Sequence, residues 1–401
     1  IKMPYIKPLR TIKTFFATKL THQVRELYLS AGIVDFAAAM VAIFEPIYLY
    51  QIGFSIQQIL YFYLAVYVLY FIFIPLGAKF ARRFGYEKAI LLGSPFLAMY
   101  YLALFFIPHH PAFIAAAIAA FVAQKTFYWP GYQADFARFG RRRERGREVS
   151  NLLMVVMVVS IAGPVVGGFL LNMWGFAVLF AVATVLILAS NLPLLATPER
   201  FAPVPFSYFH SYRRLFYREN RRNFIGFLGF GEELIVMVIW PVFIFTIVSN
   251  FLELGSIVAL ATLATTLALL FVGRMVDGDA NDRRSILKIG SVFGCGVWLM
   301  RLLVKGAFGV FLTDALGRTT KNVIVVPMMA MTYDHANETS IMKTVMFFEM
   351  SLIVGKILAI LISLAVLVFI PNSFTALFVI AALMTLLYSL IKYEPIKLSG
   401  K

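Results

Sequence analysis

Long apolar runs alternate with short polar stretches along the whole chain. A helix that crosses a bilayer needs roughly 20 mostly apolar residues. Twelve stretches meet that length, near 26–50, 57–80, 88–107, 111–137, 149–172, 175–196, 223–249, 254–276, 284–304, 306–333, 340–369 and 373–392. Prolines and glycines punctuate most of the gaps. Pro108-His109-His110-Pro111 divides the third span from the fourth, and Pro371-Asn372-Ser373 divides the last two.

Composition strengthens this pattern. Hydrophobic residues make up 61% of the 401 and charged residues 14%, with a mean hydropathy of +0.83. Soluble domains carry roughly 25% charged residues. The expectation is an integral, all-α membrane protein. The net charge of +16 would suggest a nucleic-acid partner only if the charges were scattered. They are not: Lys and Arg fill the N-terminal segment and the second, fourth, sixth and eighth gaps, and Lys305 is the exception in the odd ones. Basic loops stay on the cytoplasmic side, so both termini are expected in the cytoplasm and the protein in the plasma membrane.

Domain boundaries follow: a basic amphipathic segment at 1–25, a first bundle at 26–196, a linker at 197–222, a second bundle at 223–393 and a short tail at 394–401. In the linker, Tyr208, Phe209, Tyr212, Leu215 and Phe216 recur at helical spacing against Arg213, Arg214 and Arg218. That pattern predicts a helix lying on the membrane face. Leu9, Ile12, Phe16 and Leu20 repeat the theme at the N-terminus. No cleavable signal peptide is expected, since no short apolar run precedes a small-residue cleavage site. The single Cys295 excludes an intrachain disulfide framework, and the five histidines fall near segment ends or in loops. No metal site within the membrane and no cofactor are implied. The phosphate loop G-x-x-x-x-G-K-S/T does not occur, which argues against ATP drive, and no embedded catalytic set points to an enzyme.

The two halves carry matching residues. Pro46 recurs as Pro241, Gly77 as Gly273, Lys125 as Lys321 and Pro130 as Pro327, each displaced by 195 to 197 residues, and Asp35 shifted likewise lands on Glu232. Transporters are built from such repeats, with the substrate path between them. Asp35 lies about nine residues inside the first span, about 13 Å at 1.5 Å per residue, and Lys125, Glu232 and Lys321 lie at similar depth. Opposite charges so deep are expected to pair, as Asp35–Lys125 and Glu232–Lys321, because each alone would be costly. Asp314, Arg318 and Lys321 follow i, i+4, i+7 and share a helix face. Arg318 can bond Asp314 or grip an anionic substrate. Glu233 points about 100° from Glu232 on a regular helix, so only one of them is expected to face this way. Glu45, and Glu349 with Lys356, are weaker candidates for a proton site. Tyr63, Tyr67 and Tyr70 form one stripe, while Tyr128, Trp129 and Tyr132 crowd beside Lys125; packing is one role for them, and lining a substrate cavity the other.

Three local motifs carry a resemblance. The loop after the second span reads Gly77-Ala-Lys-Phe-Ala81-Arg82-Arg83-Phe84-Gly85, its second-half copy reads Gly273-Arg-Met-Val-Asp277, and the fifth span holds Gly163-Pro164-Val-Val-Gly167-Gly168. Together with twelve spans in two parallel six-helix repeats, these resemble the major facilitator superfamily. The loop motif is loose, and Ala81 stands where that family has an aspartate that helps lock the halves in one state. The fifth-span segment looks like the core of the family's antiporter motif, although close helix packing also explains it. The resemblance implies that spans one, four, seven and ten line a central cavity, so that Asp35, Lys125, Glu232 and Lys321 would meet there. It implies a secondary active transporter working by alternating access, and the charges suggest proton-coupled antiport exporting an amphipathic small molecule. Lipid, a small-molecule substrate and protons are the expected partners, and a monomer is the expected state. The alternatives are a symporter or uniporter for a polar or anionic solute and, in another class, a non-transporting scaffold or sensor.

Overall fold

The computed structural model describes residues 22–139, 145–194, 206–276, 280–371 and 373–392. The basic N-terminal segment to residue 21, residues 140–144 of loop 138–148, the start of the linker, Asp277 and the tail lie outside the described residues. Helices dominate what is described, as they must where no water can satisfy the backbone. They are α1 (His22–Val41), α2 (Phe44–Gln51), α3 (Ile56–Phe84), α4 (Tyr86–Phe106), α5 (Ala112–Phe139), α6 (Arg145–Leu194), α7 (Tyr208–Leu215), α8 (Arg221–Leu228), α9 (Gly231–Leu234), α10 (Trp240–Ile247), α11 (Phe251–Val276), α12 (Ala280–Met300), α13 (Ala307–Glu338), α14 (Ile341–Phe369) and α15 (Phe374–Leu387).

Among the described residues, nine helices are long and apolar enough to cross a membrane. One of these stretches, 156–192, is two passes in one, because Gly175 inside α6 adopts φ 76° and breaks it. Helix α13 carries Asp314, Arg318 and Lys321, and the final apolar helix is shorter. The arrangement is consistent with the twelve expected passes.

Proline and its neighbours shape the passes. Proline lacks the amide that would bond the carbonyl four residues back. At Pro46 the first pass breaks into α1 and α2 across Ala42 and Ile43. At its repeat mate Pro241 the break becomes a π-helical stretch, Ile235–Ile239, between α9 and α10. The seventh pass is thus a chain of short pieces where the sequence predicts one continuous span. In α3, Pro75 leaves the Phe71 carbonyl free, and the Tyr212 hydroxyl of α7 donates to it at 3.0 Å. Tyr212 and Tyr208 also donate to the Ile72 carbonyl, at 2.8 and 2.5 Å. The linker helix forms as expected, but its apolar residues divide. The tyrosines and the buried Leu215 pack on protein, while Phe209 and Phe216 stay 77% and 80% exposed.

Helix α6 is the seam between the two halves, packing on α1 and on α11. A Cβ on Gly163 would sit 2.5 Å from the Ala39 Cβ, and one on Gly167 would sit 2.1 Å from the Met40 carbonyl oxygen. A Cβ on Gly168 would sit 2.4 Å from the Phe251 carbonyl oxygen, and one on Gly255 of α11 would sit 2.1 Å from the Pro164 carbonyl oxygen. The Gly163–Gly168 segment therefore does what small residues do in membranes, letting backbones touch, and it does so on both sides at once.

Candidate functional site

The second half gathers its charges as the helical spacing predicts. Asp314, Arg318 and Lys321 project from one face of α13. The Lys321 ammonium donates to Glu232 Oε1 and to the Tyr388 hydroxyl, the latter at 2.9 Å, and lies 2.6 Å from Glu233 Oε2. Tyr388 donates in turn to Glu232 Oε1 at 3.2 Å. Both glutamates thus reach the same lysine, contrary to the expectation that only one could face it. Their side chains are long enough to converge from adjacent positions, and an ammonium carries three donors. The π-helical turn follows directly after them; such turns recur at functional sites.

Two turns away on α13, Asp314 is 1% exposed. It accepts from Arg318 Nε at 2.7 Å and from the Trp240 indole at 3.0 Å, with an Arg301 nitrogen at 3.9 Å. The Arg301 guanidinium lies between the Trp240 and Trp298 rings, 4.1 Å from each centroid. Arg301 escaped the sequence reading because it closes an apolar span at its C-terminal end. Its signal was Trp298 three residues earlier, on the same helix face, which offers a ring to a cation.

These groups border a cavity of about 420 Å³, within the range of small-molecule sites. Its charged lining is Glu232, Glu233, Arg301, Asp314, Arg318 and Lys321. Thr262, Thr265, Thr266 and Thr320 add hydroxyls, Trp298 adds a ring, and Val156, Met157 and Ser160 of α6 close it from the first half. The charges fall into two clusters. Glu232, Glu233 and Lys321 sum to one negative charge when all are ionised, and Arg301, Asp314 and Arg318 to one positive charge.

The first half is built differently. Asp35 and Lys125 do not pair, and neither lines this cavity. Among the described residues Asp35 makes no ion pair. Lys125 lies over the Phe121 ring at 4.2 Å and the Tyr67 ring at 5.5 Å, and is buried. The face of an aromatic ring partly replaces the missing carboxylate. Lys356 of α14 meets the same Tyr67 from the other half, donating to its hydroxyl at 3.4 Å. Glu45 is sealed by Tyr63 and Tyr100, whose hydroxyls both donate to its Oε1 at 2.6 Å. Glu349 is buried beside Gln133 and Tyr70, and the Tyr70 hydroxyl makes no well-formed hydrogen bond. Tyr128, Trp129 and Tyr132 pack on one another, with centroids 5.6 to 5.8 Å apart. None of the six candidate aromatics lines the cavity.

In the loop motif, Gly77 packs so closely that an added Cβ would fall 1.6 Å from the Thr126 carbonyl oxygen. Gly85, at φ 121°, joins α3 to α4. Arg83 is exposed with its guanidinium 5.2 Å from the centroid of Phe84, and Arg82 turns inward to a second pocket. Gly273 falls within α11.

An apolar helical bundle of this kind, with a charged cavity among its helices, is that of a polytopic membrane protein. Residues 27–218 match the family model described as Major Facilitator Superfamily. The fold is similar to that of a solved chain described as a bacterial homologue of the human drug peptide transporters PepT1 and PepT2, with a TM-score of 0.65 and 10% identity, over 92% of this chain and 94% of that one. No curated protein matches the sequence. The chain has the major facilitator fold, and the resemblance read from its repeat and motifs holds.

Proposed function

We propose that this protein is a secondary transporter that works by alternating access, is driven by protons, and carries a small zwitterionic or doubly charged polar solute. The observation that carries this reading is the pair of opposed clusters on one cavity. A cationic group of the solute would meet the Glu232–Glu233–Lys321 side, and an anionic group the Arg301–Asp314–Arg318 side. The first cluster is also the natural proton site: two carboxylates share one ammonium, so one bound proton brings it to neutrality. Charge neutrality matters because an unpaired charge is costly away from water. The similarity to a homologue of peptide transporters supports the same solute class.

The membrane orientation we propose puts the Lys- and Arg-rich ends and both termini in the cytoplasm, in the plasma membrane. Exchange of an amphipathic molecule for protons is the second reading. The placement of Gly163–Gly168 at the seam between the halves favours it, while the charged cavity lining favours the first.

The test is transport into proteoliposomes under an imposed pH gradient. Short zwitterionic solutes should accumulate on the alkaline side, and Glu232→Gln should abolish the pH drive while leaving exchange of labelled solute measurable. Movement of lipophilic cations against the proton gradient would select the second reading. If nothing crosses from either panel, the scaffold reading takes its place.

A further inference from the structure

A second cavity, of about 440 Å³, opens where the end of α3, the linker helix α7 and the start of α14 meet. Arg82, His210, Arg214 and Lys343 line it, with Ser211 and Ser340 between them, and no carboxylate does. The Arg82 Nε is buried without a hydrogen-bond partner. An arginine held this way has its donor fork ready for an anion with several oxygens. Ser340 is the N-cap of the 29-residue α14, and its side chain caps nothing. The first-turn amides of that helix are thus left for another acceptor, and the helix end favours negative charge. Beside the pocket, Phe209 and Phe216 of the linker region project outward, as side chains that enter a bilayer surface do.

From this we infer that the pocket binds a phosphate-type anion at the basic face of the protein, either the headgroup of an acidic phospholipid or a free phosphate. A bound anion would touch the first half through Arg82, the linker through Arg214 and the second half through Lys343. It would hold the three in the arrangement seen here. Access from lipid rests on the membrane orientation proposed above; the pocket chemistry does not depend on what the cavity transports.

The experiment uses the full chain in nanodiscs and reads thermal unfolding. One arm compares phosphatidylcholine discs with discs containing phosphatidylglycerol. The other titrates sodium phosphate into phosphatidylcholine discs against sodium chloride at equal ionic strength. The Tm should rise with phosphatidylglycerol or with phosphate. A rise in the first arm alone assigns the site to lipid, and a rise in the second alone assigns it to the free ion. Arg82→Gln and Lys343→Gln should each weaken the effect about tenfold, the loss of one charge-assisted hydrogen bond. Lys79→Gln, exposed on the same helix end, should not. Lys343 is exposed, so its variant tests the pocket even if Arg82→Gln unfolds. No rise in either arm, or a rise that both pocket variants keep, overturns the inference. The readout is binding, so a failed transport assay does not bear on it.

Discussion

Lys125 and Lys321 occupy the same place in the two repeats and live in different worlds. Lys321 is caged by two carboxylates and a tyrosine hydroxyl on the wall of a cavity. Lys125 has ring faces and no carboxylate, and is buried away from that cavity. A repeated residue therefore conserves depth and helix, while its partners are chosen by the neighbours that each half supplies. In the second half the glutamate pair precedes a π-helical turn, and both acids converge. In the first half the aligned acid, Asp35, finds no lysine, and the carboxylate that is well bound is Glu45.

The largest expected effect separates the two lysines directly. Lys321→Ala leaves Glu232 and Glu233 without their cation, and removing one partner of a buried ion pair typically costs about 3–5 kcal/mol. Lys125→Met removes a buried charge that no carboxylate contacts and that feels Glu45 and Glu349 only at longer range, so its loss should cost much less. Thermal unfolding in detergent should show a large fall in Tm for the first and a small one for the second. Equal falls would mean that Lys125 has a carboxylate partner in solution.

Next comes packing. The first half seats Lys125 through close contact of α3 with α5, at Gly77 against Thr126. Gly77→Val would place atoms inside the Thr126 carbonyl. Overpacking of this kind costs about 1–3 kcal/mol, and with backbone as the obstacle the upper end is expected. The check is Tm together with the fluorescence of nearby Trp129, which should change only if α5 shifts.

The acids sharpen the contrast functionally. Glu45→Gln keeps an acceptor for Tyr63 and Tyr100 but loses the charge in both bonds, a loss of about 1–2 kcal/mol. Because Glu45 is sealed from the cavity, pH-driven transport should persist in this variant and in Asp35→Asn, and vanish in Glu232→Gln. Loss of coupling in Asp35→Asn with coupling retained in Glu232→Gln would move the proton site to the first half.

Much of this was legible in the sequence. Apolar runs placed the passes because lipid admits little else but helices. The repeat identified Glu232 and Lys321 together, and the i, i+4, i+7 spacing put Asp314, Arg318 and Lys321 on one face. What failed depended on long side chains and on helix irregularity. Two adjacent glutamates converge only because side-chain reach outruns helical geometry. Asp35 and Lys125 fail to meet despite matched depth, since depth says nothing of rotation about the helix axis. Arg301, Trp240 and Tyr388 come from other passes, and no spacing along one segment could assemble them.

The smallest effect expected is that of Tyr67→Phe, at a residue where the two halves touch. Its ring takes Lys125 at 5.5 Å and Lys356 at 5.1 Å, and its hydroxyl accepts from Lys356 at 3.4 Å. The two contributions separate cleanly. Tyr67→Phe removes one long hydrogen bond and keeps the aromatic face, so the loss should be at most about 1 kcal/mol. Tyr67→Leu removes the face from both lysines, and each exposed-to-buried cation–ring contact is worth about 0.5–2 kcal/mol. If the ring is what replaces the carboxylate in the first half, Tyr67→Phe stays near the parent Tm and Tyr67→Leu falls well below it. The companion Lys125→Met should then rescue part of the Tyr67→Leu loss, because the stranded cation is gone. The reverse order, with the phenylalanine variant the weaker one, would show that the hydroxyl joins the halves and that the ring is only packing.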